Sequence, residues 1–201
     1  MPGMTEMTVA GKGDKKLNLG SGMRPIEGFV NLDWSSQGNP DVVHDLNAFP
    51  YPFPDNSFDF VEMSHILEHL DRPFFVMREV YRILKPGGVV HISVPHFSRG
   101  FTHAEHAHGF DVSFPYYLDA RYDFSGYAGC DFRHISTRLQ WMAFFHLLEK
   151  IGYGRATIGL LKSLNAVISW LANLSPAFTS RFWCYYVGGF EQIEFYLEAK
   201  K

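Results

Sequence analysis

Glycines and acids recur where apolar segments end in the first third of the chain, an arrangement that could bind a ligand. One segment runs into Gly20-Ser21-Gly22, where glycines let the backbone turn sharply and approach a ligand closely. Asp33 ends the next apolar segment, and a carboxylate there can accept both hydroxyl protons of a ribose. Asp45 ends a third segment, where it could flank an adenine ring, and Ser64 follows a fourth. Together these positions favour a nucleoside site.

A dinucleotide site would need a different glycine pattern. It requires G-x-G-x-x-G/A with an acid ~20 residues further on. Here Pro25 occupies the third glycine position, and Asp33 follows Gly22 by only 11 residues. The spacing therefore favours a nucleoside without a pyrophosphate and disfavours a nicotinamide-dependent oxidoreductase.

A histidine-rich loop could supply a base or metal ligands. Four of the 10 histidines fall within 13 residues: His96, His103, His106 and His108. His96 directly follows an apolar strand, so we expect it to face the crevice and act as a catalytic base, with His103 as second candidate. A loop that hydrogen-bonds its own backbone is the alternative. The spacing H-x2-H-x-H matches no standard zinc pattern, so no metal site is predicted. Glu68 and His69 are expected only to stabilise the local fold.

Strands separated by crossovers must position these residues. The predicted strands are Lys15–Leu19, Phe29–Asp33, Asp41–Asp45, Phe58–Met63, Val89–Val94, Phe132–Trp141 and Glu191–Ala199. A helix capped by Asp71, with Pro73 in its first turn, precedes the stop signal Lys85–Gly88. The alternation predicts an α/β fold with a doubly wound parallel sheet. The first crossover, Met23 to Gly28, is too short for a helix, so we expect a loop there.

The chain is expected to form a single domain over residues 15–201 after a flexible start at 1–14. Residues 96–130 are rich in histidine and aromatic side chains and are predicted to be a substrate loop. Residues 155–185 look like a helical insertion with a strong apolar stripe. The stripe comprises Leu160, Leu161, Leu164, Val167, Ile168, Leu171 and Leu174. The aromatic segments 110–127 and 178–190 could cap a substrate pocket or pack on this helix as a satellite core. The helix could instead form a homodimer interface or touch a membrane surface.

Composition excludes several classes of protein. The 201 residues carry 18 Lys and Arg against 21 Asp and Glu, a formal net charge of -3, so a nucleic-acid partner is not expected. Two cysteines without a CxxC pattern disfavour a disulfide scaffold or a thiolate zinc site. Residues 1–16 lack an apolar signal-peptide core, and no stretch is apolar enough to span a bilayer. We therefore expect a cytoplasmic protein without an integral membrane segment.

The ordered set LNLGSG, NLDW, DVVHDLNAFPYPFPDNSFDFVEMSHILEHL and REVYRILKPGGVVHISVP resembles the class I S-adenosylmethionine-dependent methyltransferases over residues 15–95. It is most similar to small bacterial members of methyltransferase type 11. The resemblance implies a Rossmann-like fold with a mostly parallel seven-stranded sheet, an antiparallel last strand and a helical insertion before it. It also implies S-adenosylmethionine as cofactor.

The resemblance assigns eleven residues to the cofactor: Asn18, Gly20, Ser21, Gly22, Asp33, Trp34, Asp45, Leu46, Met63, Ser64 and His65. Asn18 stands where the family usually has an acid, so it cannot form an ion pair with the cofactor's amino group. The function implied is methyl transfer, on oxygen, to a small-molecule, lipid or saccharide-like acceptor. A catalytically inactive cofactor-binding or interaction protein remains the alternative from another class.

Overall fold

The computed structural model describes residues 14–100, 103–123 and 128–201. The predicted flexible start therefore lies outside the described residues, apart from Asp14. The predicted substrate loop at 96–130 is described only in part.

A seven-stranded sheet forms the centre of the molecule, in the order β3-β2-β1-β4-β5-β7-β6. The strands are β1 (Lys16–Leu19), β2 (Val30–Asp33), β3 (Val42–Val43), β4 (Phe58–Ser64), β5 (Leu84–Pro95), β6 (Phe132–Gln140) and β7 (Gln192–Ala199). The pairs β1–β2, β1–β4, β2–β3 and β4–β5 are parallel, and β7 is antiparallel to both of its neighbours. The predicted α/β, Rossmann-like sheet with an antiparallel last strand is confirmed.

Helices lie mainly after β4 and between β6 and β7. They are α1 (Pro73–Ile83), α2 (Phe97–Gly100), α3 (Phe145–Lys150), α4 (Arg155–Ala172), α5 (Pro176–Phe178), a π-helical turn (Thr179–Trp183) and α6 (Cys184–Tyr186). Short 3-10 helices occupy Ser36–Gly38, Leu67–His69 and Phe114–Tyr117.

The predicted N-cap of α1 is wrong, whereas the helix ends directly before the predicted stop signal at Lys85–Gly88. Arg72, not Asp71, is the N-cap, because the Arg72 carbonyl accepts the first helical hydrogen bonds, whereas Asp71 N donates to Asn47 Oδ1. At the other end the helix stops at Ile83, and the segment Lys85–Gly88 lies inside β5. A register shift opposite Phe58–Phe60 lets the strand absorb this segment.

The crossover from β1 to β2 contains no helix among the described residues, as expected. The 3-10 helix Ser36–Gly38 packs against the glycine turn instead. A Cβ atom at Gly38 would lie 1.8 Å from the carbonyl oxygen of Gly22. Glycine at position 38 therefore lets two loops meet, which closes the turn without a crossover helix.

Most of the apolar stripe of α4 faces solvent, whereas its members Leu161 and Ile168 are half-buried. Leu160 is 61% exposed, Val167 56% and Trp170 63%, whereas Ile158, Ser169 and Ala172 are the buried residues of the helix. Polar side chains anchor the buried face: Ser169 Oγ accepts from Trp141 N, and Asn173 bonds to both backbone groups of Leu139. No helix among the described residues is long and apolar enough to cross a membrane.

Candidate functional site

A cavity of about 340 Å³ lies beyond the carboxyl ends of β1, β2 and β4. Its lining comprises Gly20, Asp33, Trp34, Asp45, Leu46, Asn47, Ile66, His69 and Leu70. Strand ends meet here because parallel strands place their carboxyl ends along one edge of the sheet. The volume lies in the ~300–1,000 Å³ range typical of small-molecule sites.

The glycine turn forms one wall of the cavity. The amides of Gly20 and Ser21 both donate to Leu32 O, at 2.9 and 3.1 Å, which folds the turn onto β2. Gly20 has a φ of 74°, and a Cβ atom there would lie 2.6 Å from Ile66 Cγ1. Both its backbone conformation and the close approach of Ile66 therefore require glycine.

Asp33 is a buried carboxylate at the end of β2, held in place by the backbone on both oxygens. Oδ2 accepts from Gly22 N at 2.8 Å, and Oδ1 accepts from Ser35 N at 2.9 Å. Each carboxylate oxygen can accept more than one hydrogen bond, so both keep capacity for a ligand hydroxyl. The residue is fixed in position before any ligand arrives.

A mixed polar and apolar surface faces Asp33 across the cavity. Asp45 Oδ1 accepts from Asn47 N at 2.9 Å, and the Tyr51 hydroxyl donates to Leu46 O at 3.0 Å, which fixes this loop. Trp34 is 74% exposed at the cavity rim. This wall offers a carboxylate, a leucine side chain and an indole to a planar, polar-edged ligand.

Five of the eleven predicted cofactor residues line the cavity: Gly20, Asp33, Trp34, Asp45 and Leu46. Ser21 and Gly22 belong to the turn behind it, and Met63 is fully buried in the core. Asn18 donates from Nδ2 to Asn31 Oδ1 at 3.0 Å, so its side chain joins β1 to β2. Ser64 is exposed at the end of β4.

Four lining residues were not among the predicted ones: Asn47, Ile66, His69 and Leu70. The signal that could have found three of them is the segment Ile66-Leu67-Glu68-His69-Leu70 directly after β4. Its 3-10 geometry turns Leu67 and Glu68 into the core and leaves His69 half-buried at the cavity.

Next to His69 lies a cluster of histidines and one buried acid. The Glu68 side chain is buried, and neither carboxylate oxygen has a hydrogen bond within the described part of the chain. His65 Nδ1 lies 3.3 Å from Glu68 Oε1, and His65 Nε2 lies 2.8 Å from Gln192 Oε1. Burial alone would lower the pKa of His65, but Glu68 and Gln192 outweigh it and raise that pKa.

His96 does not face the crevice as expected. It is fully buried, with Nδ1 2.7 Å from Ser98 Oγ and Nε2 2.9 Å from Ser180 Oγ. Burial lowers its pKa to about 4. The imidazole instead joins the end of β5 to the π-helical turn. Its predicted catalytic role stays a prediction that this position does not favour.

His103, the second predicted base, is exposed and stacks on His106 with ring centroids 4.7 Å apart. The His106 ring lies 4.8 Å from that of His69. His103 therefore lies next to the cavity wall, because its ring centroid is 5.8 Å from that of the lining residue His69.

A second, larger cavity of about 890 Å³ lies next to the first one along the chain. Its lining comprises Asp71, Arg72, Pro73, Phe74, Phe75, His108, Gly109, Phe110, Asp111, Ser113, Phe114 and Tyr117. Five of these twelve residues are phenylalanine or tyrosine, and five others are charged or polar. Leu70 lines the first cavity and Asp71 the second, so the two sites share one stretch of backbone.

The chain shares sequence with known methyltransferases over part of its length. Residues 22–92 match the family described as "Methyltransferase domain". A demethylmenaquinone methyltransferase from Listeria welshimeri is 48% identical over 50 residues, which are 25% of this chain and 21% of that protein. The chain therefore matches about a fifth of the length of such curated relatives.

Two solved structures share the whole fold. A SAM-dependent methyltransferase from Archaeoglobus fulgidus has a TM-score of 0.56 at 19% identity, covering 93% of this chain and 87% of that one. A methyltransferase from Mesorhizobium loti that depends on S-adenosylmethionine has a TM-score of 0.55 at 14% identity, covering 92% and 91%. At such identities the likeness concerns the fold. Residues 22–92 therefore match a methyltransferase domain, and the fold of the whole chain is similar to that of S-adenosylmethionine-dependent methyltransferases.

Proposed function

We propose that this chain transfers a methyl group from S-adenosylmethionine to an oxygen of a small acceptor. The observation that carries the proposal is the cavity in which Gly20, Asp33 and Asp45 converge beyond the strand ends. When bound, the cofactor supplies a methyl group that its sulfonium already activates. The protein has to bind, orient and shield the reactants.

The lining residues fit a nucleoside. Asp33 presents two fixed carboxylate oxygens that can accept the ribose hydroxyl protons. Leu46 and Trp34 offer an apolar surface and an exposed indole for a planar base. Ile66 and Leu70 add apolar surface that excludes water from the same cavity. Asn18 is occupied with Asn31, so no ion pair to an amino group is assigned to it.

The second cavity is our candidate for the acceptor site. Its volume of about 890 Å³ and its aromatic lining suit a small molecule or lipid with an aromatic or apolar body. Asp111 and His108 supply polar groups at the same cavity. The Listeria relative is named for action on demethylmenaquinone, but its match spans only 50 residues. We therefore propose an acceptor class and no individual acceptor.

A general base would add ~10²–10⁴-fold to transfer onto a hydroxyl. His103 is the candidate we retain from the sequence, since its ring lies 5.8 Å from that of the cavity residue His69. A catalytically inactive cofactor-binding protein is the competing function, and the side chain of Asn18 is the observation that favours it. Tight cofactor binding without turnover on any hydroxyl acceptor would support that alternative.

Titration calorimetry with S-adenosylhomocysteine tests the site. Trp34→Ala should weaken binding by ~10-fold or more, because stacking on a base contributes ~1–3 kcal/mol. Trp170→Ala is the matched control, since this indole is also largely exposed, lies on α4 and should leave binding unchanged. The proposal is overturned if the folded protein does not bind S-adenosylhomocysteine, or if both tryptophan variants bind like the parent.

A further inference from the structure

We infer that Glu68, His69 and His106 form a binding site for one divalent transition-metal ion between the two cavities. Each residue offers one ligand atom, and the three atoms all lie within 4.8 Å of one another. Ligands ~2.0–2.2 Å from a shared ion lie roughly 3–4 Å apart, so closing the site needs side-chain shifts of about 1 Å at most. Side-chain rotations of that size require no change in the backbone.

Among the three residues, Glu68 provides the strongest reason to expect a bound cation. Its side chain is only 1% exposed, and both carboxylate oxygens lack a hydrogen bond within the described residues. A buried carboxylate is unfavourable by several kcal/mol unless an opposite charge compensates it, and a bound cation would supply that charge to both oxygens. The competing account is an ion pair with His65, whose Nδ1 lies 3.3 Å away.

Backbone contacts bring His106 to the other two ligands. Glu68 and His69 belong to the 3-10 helix Leu67–His69 that follows β4. The amide of Ala107 donates to Glu68 O at 3.0 Å, which fixes the histidine loop against that helix. Residues on both sides of the cluster are therefore anchored to one another by the main chain, and the three side chains meet as a consequence.

Two imidazoles and one carboxylate are a donor set typical of catalytic zinc and of other first-row ions that keep open positions. Such a set disfavours Ca²⁺ and Mg²⁺, which prefer oxygen ligands. The sequence spacing around His103 and His106 did not indicate a metal site, because Glu68 and His69 come from a segment some forty residues earlier.

The position of the site gives it a role that rests on the proposed function. His69 lines the smaller cavity, and His108, two residues after His106, lines the larger one. An ion held here could take an acceptor hydroxyl in an open position and lower the pKa of that hydroxyl. The hydroxyl proton would leave to solvent. The acceptor class would then be molecules with a metal-binding oxygen, such as a phenol or an enol.

The test uses the full, tag-free chain after removal of metals with a chelator. We expect titration with Co²⁺ to give a visible d–d absorption band that saturates near one ion per chain, and Zn²⁺ to displace it. Glu68→Gln keeps the shape of the side chain, and His106→Ala removes a ligand from a half-buried loop position. Each should weaken metal binding by ~100-fold or more. The matched control is His146→Ala, an exposed histidine on α3, which should bind Co²⁺ like the parent.

Two outcomes overturn the proposal: the parent shows no saturable Co²⁺ band, or the band survives both ligand substitutions. In either case Glu68 belongs to the pair with His65. Binding of S-adenosylhomocysteine to the same metal-free preparation separates the two proposals. If that binding persists while Co²⁺ binding is absent, only the metal site is refuted. If Co²⁺ binds while S-adenosylhomocysteine does not, the metal site stands and the proposed function fails.

Discussion

The cavity end of the sheet and the helical segment between β6 and β7 use apolar and polar residues in opposite ways. Around the cavity, core side chains such as Met63 and Leu32 are fully buried, and Asp33 stands at their edge. In the segment at residues 145–186, leucines, a tryptophan and phenylalanines face solvent, whereas Asn165 and Ser169 bond to the chain at the end of β6. The first region is held by hydrophobic burial, whereas the second combines hydrogen bonds with a smaller apolar contact through residues such as Ala172 and Ile168.

The difference shows what a periodic apolar pattern can establish. A stripe at helical spacing predicts that a helix forms, because the period belongs to the helix itself. It does not fix which face the protein covers. Asn173, the C-cap of α4, bonds to both backbone groups of Leu139, and Ser169 on the buried face accepts from Trp141 N. Whether the exposed face meets a second copy of the chain stays a prediction.

The largest expected effect compares two phenylalanines. Phe195 in β7 is fully buried and lies against Phe114, with ring centroids 5.7 Å apart. Phe195→Ala should lower the free energy of unfolding by ~3–5 kcal/mol. Phe182→Ala, at a side chain that is 56% exposed in the helical segment, should lower it by less than ~1 kcal/mol. Denaturant unfolding followed by tryptophan fluorescence measures the free energy of unfolding of both variants. Equal decreases in the two variants would contradict the difference between the two regions.

Sequence reasoning worked best where local chemistry sets the structure. The strand ends, the glycine turn and Asp33 were predictable because each depends on a turn conformation or a strand-end position. The burial of His96 was not, because it depends on Ser180, which lies 84 residues further along the chain. The position of His69 at the cavity was not predictable either, since part of the surroundings of the segment 67–69 comes from the histidine loop.

The second-largest effect is expected at His96, which connects the end of β5 to the π-helical turn. His96 is buried between Ser98 and Ser180, and burial lowers its pKa to about 4, with Asp111 as the opposing charge. Unfolding returns the imidazole to a pKa of ~6.5, so the unfolded state binds more protons between these values and stability falls as the pH drops through them. We expect a loss on the order of 2 kcal/mol between pH 7 and pH 5.

The same measurement on His96→Gln should show a flatter pH profile over that interval, because the titrating group is gone. Urea unfolding at several pH values provides both curves. If the free energies of unfolding of the parent and the variant changed with pH in parallel, His96 would not be responsible for the loss of stability at low pH.

Two glycines provide the third contrast. Gly20→Ala places a Cβ atom 2.6 Å from Ile66 Cγ1 at a φ of 74°, so it should destabilise the fold by ~1–2 kcal/mol and weaken S-adenosylhomocysteine binding. Gly159→Ala adds a methyl group with no atom within 4 Å in the interior of α4. It should stabilise the protein by ~1 kcal/mol. Thermal unfolding shows whether each substitution raises or lowers the melting temperature. Shifts of both variants in the same direction would contradict the prediction.

The smallest effect is expected on the exposed stripe itself. Leu164 is 42% exposed on α4, and Leu164→Gln exchanges it for a residue of similar helix propensity. A monomer should therefore change its free energy of unfolding by less than ~0.5 kcal/mol. If the stripe is covered by a second copy of this chain, the same substitution shifts the monomer–dimer equilibrium, which sedimentation at several concentrations detects. The cavity end of the sheet should stay unaffected in both cases, because α4 reaches the sheet through its polar face and β6.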